Sequence, residues 1–261
     1  MSKTLVTILN HNLPVDTDEL YDALNSFKSD SHDIFVIDNG CNEEGKSKNV
    51  THTLDQNVYF GGGLNVMFQY MIDNEEYDSL LFLNNDLILH PYNFVNSLRE
   101  ELIENDYTIV SPSIFQAPGI VADDNVHNIF PTRDQGWWFT MHNWNSKEIR
   151  QVKWVDFNAP MIHRRLIEHI RQFDPLLIYG WGIDILCGMV CEDMGWKVGV
   201  CDWIPILHLV QKTTREGKSD ISQSDYQKIA NDNMFEYFQK NNLFKKHMEY
   251  ISHSQKYRNF K

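Results

Sequence analysis

Asp86 follows the apolar run Leu81-Phe82-Leu83 after two amides, Asn84 and Asn85. A carboxylate at the end of a buried strand is held rigidly and suits a hard divalent cation, Mn²⁺ or Mg²⁺. The same aspartate equally caps a loop, because Asn-Asn-Asp is a loose pattern. His208 closes a second apolar run, Ile204-Pro205-Ile206-Leu207-His208. An imidazole partners one carboxylate at Mn²⁺ and Mg²⁺ sites that also take phosphate oxygens; a single strand-end histidine is as readily structural. Asp38-Asn39-Gly40 follows Ile34-Phe35-Val36-Ile37. It reads as a turn or, as a site, as a carboxylate that accepts the imide N–H of uracil or contacts another base.

Asn57 to Asn65 sets Gly61, Gly62 and Gly63 before a helical pattern, which lets backbone come close to a nucleotide or sugar or simply makes a flexible turn. It is neither a Walker loop nor GxGxxG. Tyr179-Gly180-Trp181-Gly182-Ile183-Asp184 is a tight turn that delivers Asp184 to the start of a helix, as an N-cap or as a general base for an acceptor hydroxyl. Trp137, Trp138 and Trp144, with Phe139 and His142, offer aromatic faces that stack on sugar rings or anchor a loop.

Strand and helix patterns alternate through the first 110 residues. Strands are expected at 5–9, 33–37, 49–54, 79–83 and 107–110. Helices are expected at 16–29, after Gly63, and from Pro91. Such alternation implies βαβ units in a mixed, mostly parallel sheet covered on both faces. Ligands gather beyond the C-terminal ends of those strands, which singles out Asn10-His11-Asn12, Asp38-Asn39 and Asn84-Asn85-Asp86. Residues 116–150 are irregular. A strand at 152–157, helices at 164–172 and 184–194, strands at 197–201 and 204–208, and a helix at 222–241 with a basic extension follow.

With 261 residues the chain has room for one large domain, with or without an appendage. No run approaches the roughly 18 apolar residues of a membrane span, and MSKTLVTILNHN reads as a first strand, not a signal peptide. Four scattered cysteines (Cys41, Cys187, Cys191, Cys201) read as free core thiols of a cytoplasmic protein, not as a metal knuckle. Residues 240–261 hold six basic side chains and one Glu, so the other 239 residues carry −18 of the net −13. That body repels nucleic-acid backbone and anionic lipid, and it binds a diphosphate poorly unless a cation offsets the field. The basic tail reads as a solvated helix end or as a guide for an anionic acceptor or membrane surface.

Six motifs in order over about residues 3–210 resemble family-two glycosyltransferases of the type-A fold, especially the rhamnosyltransferase-like branch. They are Asn10-His11-Asn12 after the first strand, Asp38-Asn39, Asn57 with Gly61-Gly62-Gly63-Leu64-Asn65, Leu83-Asn84-Asn85-Asp86 as a D-x-D variant, the block from Phe173-Asp174-Pro175 through Trp181-Gly182-Ile183-Asp184 to Gly195-Trp196-Lys197-Val198, and His208. The chain departs from the family in two places. Asn84 stands at the first acid of D-x-D, and Trp181-Gly182 stands where the family has Glu-Asp.

The resemblance implies a Rossmann-like catalytic domain at 1–215, with a nucleotide-sugar half at about 1–110 and an acceptor half at 111–215. A helical extension with a basic tail follows at 216–261. It implies that Asp86 and His208 bind Mn²⁺ or Mg²⁺. Asn10, Asn12, Asp38, Asn39, Gly61, Gly62, Gly63, Asn65, Asn84, Asn85, Lys212 and Arg215 would take the nucleotide-sugar donor. Trp137, Trp138, Asp156 and Trp181 would face the acceptor, and Asp184 is the base of an inverting transfer. A non-catalytic nucleotide-sugar or glycan binder is the alternative. A nucleotidyltransferase fits less well, since Asn10-His11-Asn12-Leu13-Pro14 holds no basic Lys or Arg.

Overall fold

Thr4, Leu5, Val6, Thr7 and Ile8 are all buried, so β1 (Lys3–Asn10) is covered on both faces, as an unbroken apolar run requires. The structure, a computed structural model, describes residues 2–89, 94–116, 130–131, 149–209 and 219–256. Strand β1 pairs in parallel with β2 (His32–Asn39) and β4 (Tyr77–Asn84), and β3 (His52–Leu54) adds to β2. In the second half β6 (Tyr107–Gln116) and β10 (Lys197–His208) are parallel neighbours. Strand β9 (Met161–His163) enters antiparallel between β4 and β6, and β5 (Leu87–Leu89) lies antiparallel to the end of β10. The 10-stranded sheet runs β3-β2-β1-β4-β9-β6-β10-β5, with β7 (Phe130–Pro131) on β6 and β8 (Arg150–Val152) on β10. Its long pairings are mostly parallel and its short ones mostly antiparallel.

Helices cover both faces. On one side α1 (Pro14–Asn25) and α3 (Phe94–Glu104) bury Leu20, Leu24, Phe94, Val95, Leu98 and Leu102. On the other, α2 (Tyr59–Asp73), α4 (Arg164–Ile170) and α5 (Ile183–Met194) bury Leu64, Met67, Phe68, Met71, Leu166, Ile167 and Leu186. The last helices, α6 (Gln223–Lys240) and α7 (Phe244–Lys256), add Met234, Phe238 and Tyr250 to that second core, so these two helices share an apolar core with the sheet. Among the described residues no helix is long and apolar enough to cross a membrane. The four cysteines are free, and burial pushes the Cys191 thiol up to about 12, so it is no thiolate ligand.

The sequence pattern misjudges several boundaries. The helix expected at 16–29 starts at Pro14 and stops at Asn25, beyond which Phe27 N reaches only the Leu24 carbonyl. The strand expected at 152–157 stops at Val152. Residues beyond it run beside β4 instead, where the Asn158 and Pro160 carbonyls accept from Asn84 N and Phe82 N. Pro160 has no N–H to return to a ladder. The strands expected at 197–201 and 204–208 are one strand, β10, with an irregularity between Cys201 and Pro205 in its pairing with β6. Strands β5 and β9 went unread because three residues are too short to show a period. The basic extension contains α7.

His247, on α7, is fully buried, and neither ring nitrogen has a hydrogen-bond partner among the described residues. The ring stacks on Phe238 at 4.1 Å, with Phe235 at 5.8 Å. Burial lowers its pKa to about 4 from 6.5. The folded state therefore holds fewer protons than the unfolded chain between these values. Stability is complete above about pH 6.5 and falls as pH drops towards 4, by up to about 3 kcal/mol in all. Urea midpoints at pH 7 and pH 5 should show this loss for the wild type, and a smaller one for His247→Phe.

Candidate functional site

The site begins where β4 ends. Asn84 ends β4, Asn85 and Asp86 make the bend into β5, and the register of β5 on β10 pairs Leu87 with His208. Leu209 N then donates to the Asp86 carbonyl at 2.9 Å, clamping the two segments together. In this frame His208 Nε2 lies 3.2 Å from Asp86 Oδ1, with both side chains about one-tenth exposed. His208 Nδ1 is buried and has no hydrogen-bond partner among the described residues.

One imidazole nitrogen and one carboxylate oxygen form a mixed donor set that suits Mn²⁺ or Mg²⁺ in company with phosphate oxygens and water. Neighbouring ligands in an octahedral shell with bonds of about 2.1 Å are roughly 3 Å apart, so the observed spacing fits. Among the described residues no group of three His, Cys, Asp or Glu side chains could hold a metal ion. The remaining ligands therefore have to come from elsewhere.

The amides around this pair divide into two sets. Asn85 turns back into the fold, its Nδ2 donating to Asn10 Oδ1 at 3.3 Å and Thr17 Oγ1 at 3.2 Å. Asn10 is fully buried; its Oδ1 also accepts from Leu13 N and Thr17 Oγ1, and its Nδ2 donates to the Gly45 carbonyl at 2.9 Å. Asn10 and Asn85, expected at the donor, are thus used to hold the ends of β1 and β4 to the start of α1. Asn84 turns the other way. Its Nδ2 donates to Asn158 Oδ1 at 2.8 Å, and Asn158 Nδ2 donates to Asp156 Oδ2 at 2.5 Å. Asn158 escaped the sequence reading because Asn84, the partner that brings it to the site, is remote in sequence.

Beyond β1, β2 and β3 lies a second polar cluster. Asp38 is buried and accepts from Cys41 N at 2.8 Å, so one of its oxygens holds a turn. Asn39 is also buried: its Nδ2 donates to Asn57 Oδ1 and its Oδ1 accepts from Val58 N. His11 Nδ1 is 2.9 Å from the Asn39 carbonyl, and Asn57 Nδ2 donates to Asp220 Oδ2 at 2.9 Å. His11 Nε2 stands 3.3 Å from the same Asp220 oxygen. A cavity of about 430 Å³ opens beside them, lined by Asn12, Asn42, Glu44, Gly45, Ser219 and Asp220, with Pro14. His11 and Asn57 sat inside motifs already visible; Asp220 carried no signal. Burial pushes the Cys41 thiol up to about 12, so it stays protonated here.

The three glycines are not a loop before a helix; they lie in the first turns of α2. A Cβ on Gly61 would meet the Leu177 carbonyl at 2.4 Å, one on Gly62 the Val58 side chain at 2.7 Å, and one on Gly63 the Leu9 side chain at 2.8 Å. The close approach is to the chain's own atoms. Asn65 likewise brackets Phe173, donating to its carbonyl at 3.1 Å and accepting from its N–H at 2.8 Å. These contacts press the 173–183 segment onto α2 at the strand-end edge of the sheet. Gly182, at φ +84, turns the chain into α5 and leaves Trp181 38% exposed, with half-buried Asp184 in the first helical turn. Asp184 Oδ1 accepts from Ile185 N. Trp137, Trp138 and Trp144, Phe139 and His142, and Lys212 and Arg215 lie outside the described residues.

A crystal structure of GalNAc-T7 with UDP, GalNAc and Mn²⁺ is similar to this chain, with a TM-score of 0.63 and 12% sequence identity. The match covers 89% of this chain and 54% of that one, so this chain spans about half the length of that protein. A structure of A197 from STIV aligns at a TM-score of 0.42 and 11% identity, over 80% of this chain and 86% of that one. No family model matches the sequence, and no curated protein does. The shared property is the fold, a mixed α/β sheet of the glycosyltransferase type-A kind.

Because the space beside Gly61 is filled by backbone, Gly61→Ala should lower stability by about 1–3 kcal/mol without any ligand present, as overpacking does. Urea unfolding measures it, and an unchanged midpoint would return this glycine to a ligand-contact role.

Proposed function

We propose that the chain is a metal-dependent glycosyltransferase of the family-two, rhamnosyltransferase-like kind. It moves a sugar from a nucleoside diphosphate, UDP or dTDP by preference, to an acceptor hydroxyl on a glycan, a lipid-linked saccharide or a modified nucleobase. The observation that carries the reading is the 3.2 Å approach of His208 Nε2 to Asp86 Oδ1 beyond the ends of buried strands. The fold neighbour crystallised with UDP, GalNAc and Mn²⁺ supports the class, and the order of the six motifs supports the family.

In this reading Asp86 and His208 hold Mn²⁺ or Mg²⁺, which would neutralise the donor diphosphate and stabilise charge on the departing nucleoside diphosphate. Asn12 and Asp38 meet the nucleoside side of the donor at the ends of β1 and β2, where Asn39 holds Asn57 and Val58 beside them. Lys212 and Arg215, shortly after His208, bring positive charge to the phosphates. Trp181, Trp137 and Trp138 give the acceptor sugar a stacking face. Asp184 takes the proton of the acceptor hydroxyl as that oxygen bonds to the anomeric carbon. The bond from that carbon to the β-phosphate oxygen breaks on the opposite side, so the configuration inverts. The basic tail draws an anionic acceptor or membrane surface towards an otherwise acidic body.

Thermal unfolding with UDP and Mn²⁺ tests the metal half: a ligand at 100 times its Kd stabilises the wild type by about 2.7 kcal/mol. Asp86→Asn and His208→Ala should abolish that gain. Asp184→Asn should keep it while transfer, followed by mass spectrometry over a panel of sugar donors and acceptors, falls by about 10²–10⁴. Undiminished transfer by Asp184→Asn would remove the base, and transfer that ignores Asp86→Asn would remove the metal.

A further inference from the structure

Helix α6 meets the turn that carries Trp181 and Asp184 along one stripe. Tyr226, Ala230, Met234 and Phe238 recur every four residues, so they share a face of the helix. Ala230, Met234 and Phe238 are buried and Tyr226 is half-buried. In the first turn of α6 the Tyr226 hydroxyl donates to the Tyr179 carbonyl. Further along, Met234 and Phe238 press on Gly182, where a Cβ would meet Met234 Cγ at 2.8 Å and Phe238 Cε2 at 2.9 Å. Shortly before α6, Asp220 accepts from Asn57 Nδ2 at 2.9 Å, which ties the approach to the helix to the chain entering α2.

The turn has few bonds of its own. Gly180 and Gly182 have φ of +94 and +84, a conformation that glycine enters without strain and leaves as easily. Gly180 N donates to the Leu177 carbonyl at 2.9 Å, and Ile183 N reaches the Gly180 carbonyl only at 3.4 Å. The Tyr179–Gly180 peptide is therefore held at both ends, its N–H by Leu177 and its oxygen by Tyr226. Three rings meet at this point, with Tyr59 at 4.4 Å from Tyr179 and 6.5 Å from Tyr226. Tyr59 keeps φ at +57 there, which is rare for a bulky residue.

We propose that Tyr226 is a positioning residue for the acceptor. By fixing the Tyr179–Gly180 peptide it sets where Trp181 and Asp184 stand, and α6 is thereby a working part of the acceptor half. This rests on the reading of Trp181 and Asp184 as acceptor-facing. It carries the catalytic unit past residue 215, where the family resemblance ended it.

Tyr226→Phe removes the hydroxyl and keeps the ring on Tyr59 and Tyr179, so the fold is preserved. Hydrogen exchange of the unliganded full chain reads the turn directly, because the Gly180 and Ile183 amides close it. Exchange within 178–185 should quicken about fivefold, the worth of one net hydrogen bond, with β1, β4 and β10 unchanged. Equal protection in the turn means that the bond holds nothing in place. Protection lost throughout the sheet means that Tyr226 serves overall stability, and either result overturns the proposal. The acceptor role is read by comparing sugar transfer with hydrolysis of the same donor by water, over the panel used for Asp184→Asn. Tyr226→Phe should lower transfer relative to hydrolysis by up to about 10²-fold, the cost of a misplacement of about 1 Å. Stabilisation by UDP and Mn²⁺ should stay as in the wild type. Transfer and hydrolysis that change in proportion overturn the acceptor role. A wild type that transfers no sugar sinks the glycosyltransferase reading instead, and the exchange rates still decide whether Tyr226 sets the turn.

Discussion

The pairing of β5 with the end of β10 decides where His208 falls. On β10, Ile204, Ile206 and His208 share one buried face while Pro205 and Leu207 are more open, and Ile204 and Ile206 are packed in the core beneath α1 and α3. A slip of one residue would turn the imidazole to the other face of the sheet. The irregularity between Cys201 and Pro205 resets the alternation, and the bond from Leu209 N to the Asp86 carbonyl then pins the register at the bend that carries Asp86. The Asp86–His208 contact is thus a product of two apolar residues, one irregularity and one backbone hydrogen bond.

Around that contact the strand ends are tied by amides. Asn10 binds the β1 end to α1 and to Asn85, Asn39 binds the β2 end to Asn57, and Asn84 binds the β4 end to Asn158. A carboxamide both gives and accepts, so a single side chain can satisfy partners of opposite kind in a buried position. This makes the floor of the crevice rigid. The 173–183 segment is held just as firmly, by Asn65 on Phe173 and by the contact that only a glycine at position 61 allows.

Much of the sheet could be read from the chain, because buried strands of five or more residues announce themselves, and the rule that ligands gather beyond their ends singled out bends where polar side chains do cluster. The meeting of Asp86 with His208 came from resemblance to a family and not from spacing, since nothing local links them. What stayed hidden was mostly polar. Whether Asn10 faces a ligand or the core depends on Thr17, Gly45 and Asn85, three partners supplied by different segments. The glycine triplet misled for a related reason: small size signals close approach but not what approaches. Asp156 and Asn158 were read as part of, or just after, a strand, because periodicity does not see that Pro160 interrupts the ladder.

The charge balance gives amides an advantage over further acids at this end of the sheet, where Asn10, Asn39, Asn84 and Asn85 lie among Asp38, Asp86 and Asp156. On the function proposed above, a diphosphate would bring negative charge of its own into a body that already carries −18 outside its tail. Each further carboxylate at about 4 Å from a phosphate would oppose binding by roughly 4 kcal/mol at a dielectric suited to a protein surface. An asparagine supplies an oxygen at comparable reach without that penalty, but only if its amide is turned the right way. The burden therefore shifts from charge to orientation, and orientation is what buried hydrogen-bond partners supply. Asp86 stands beside His208, while Asp156 is joined to Asn84 through the neutral side chain of Asn158.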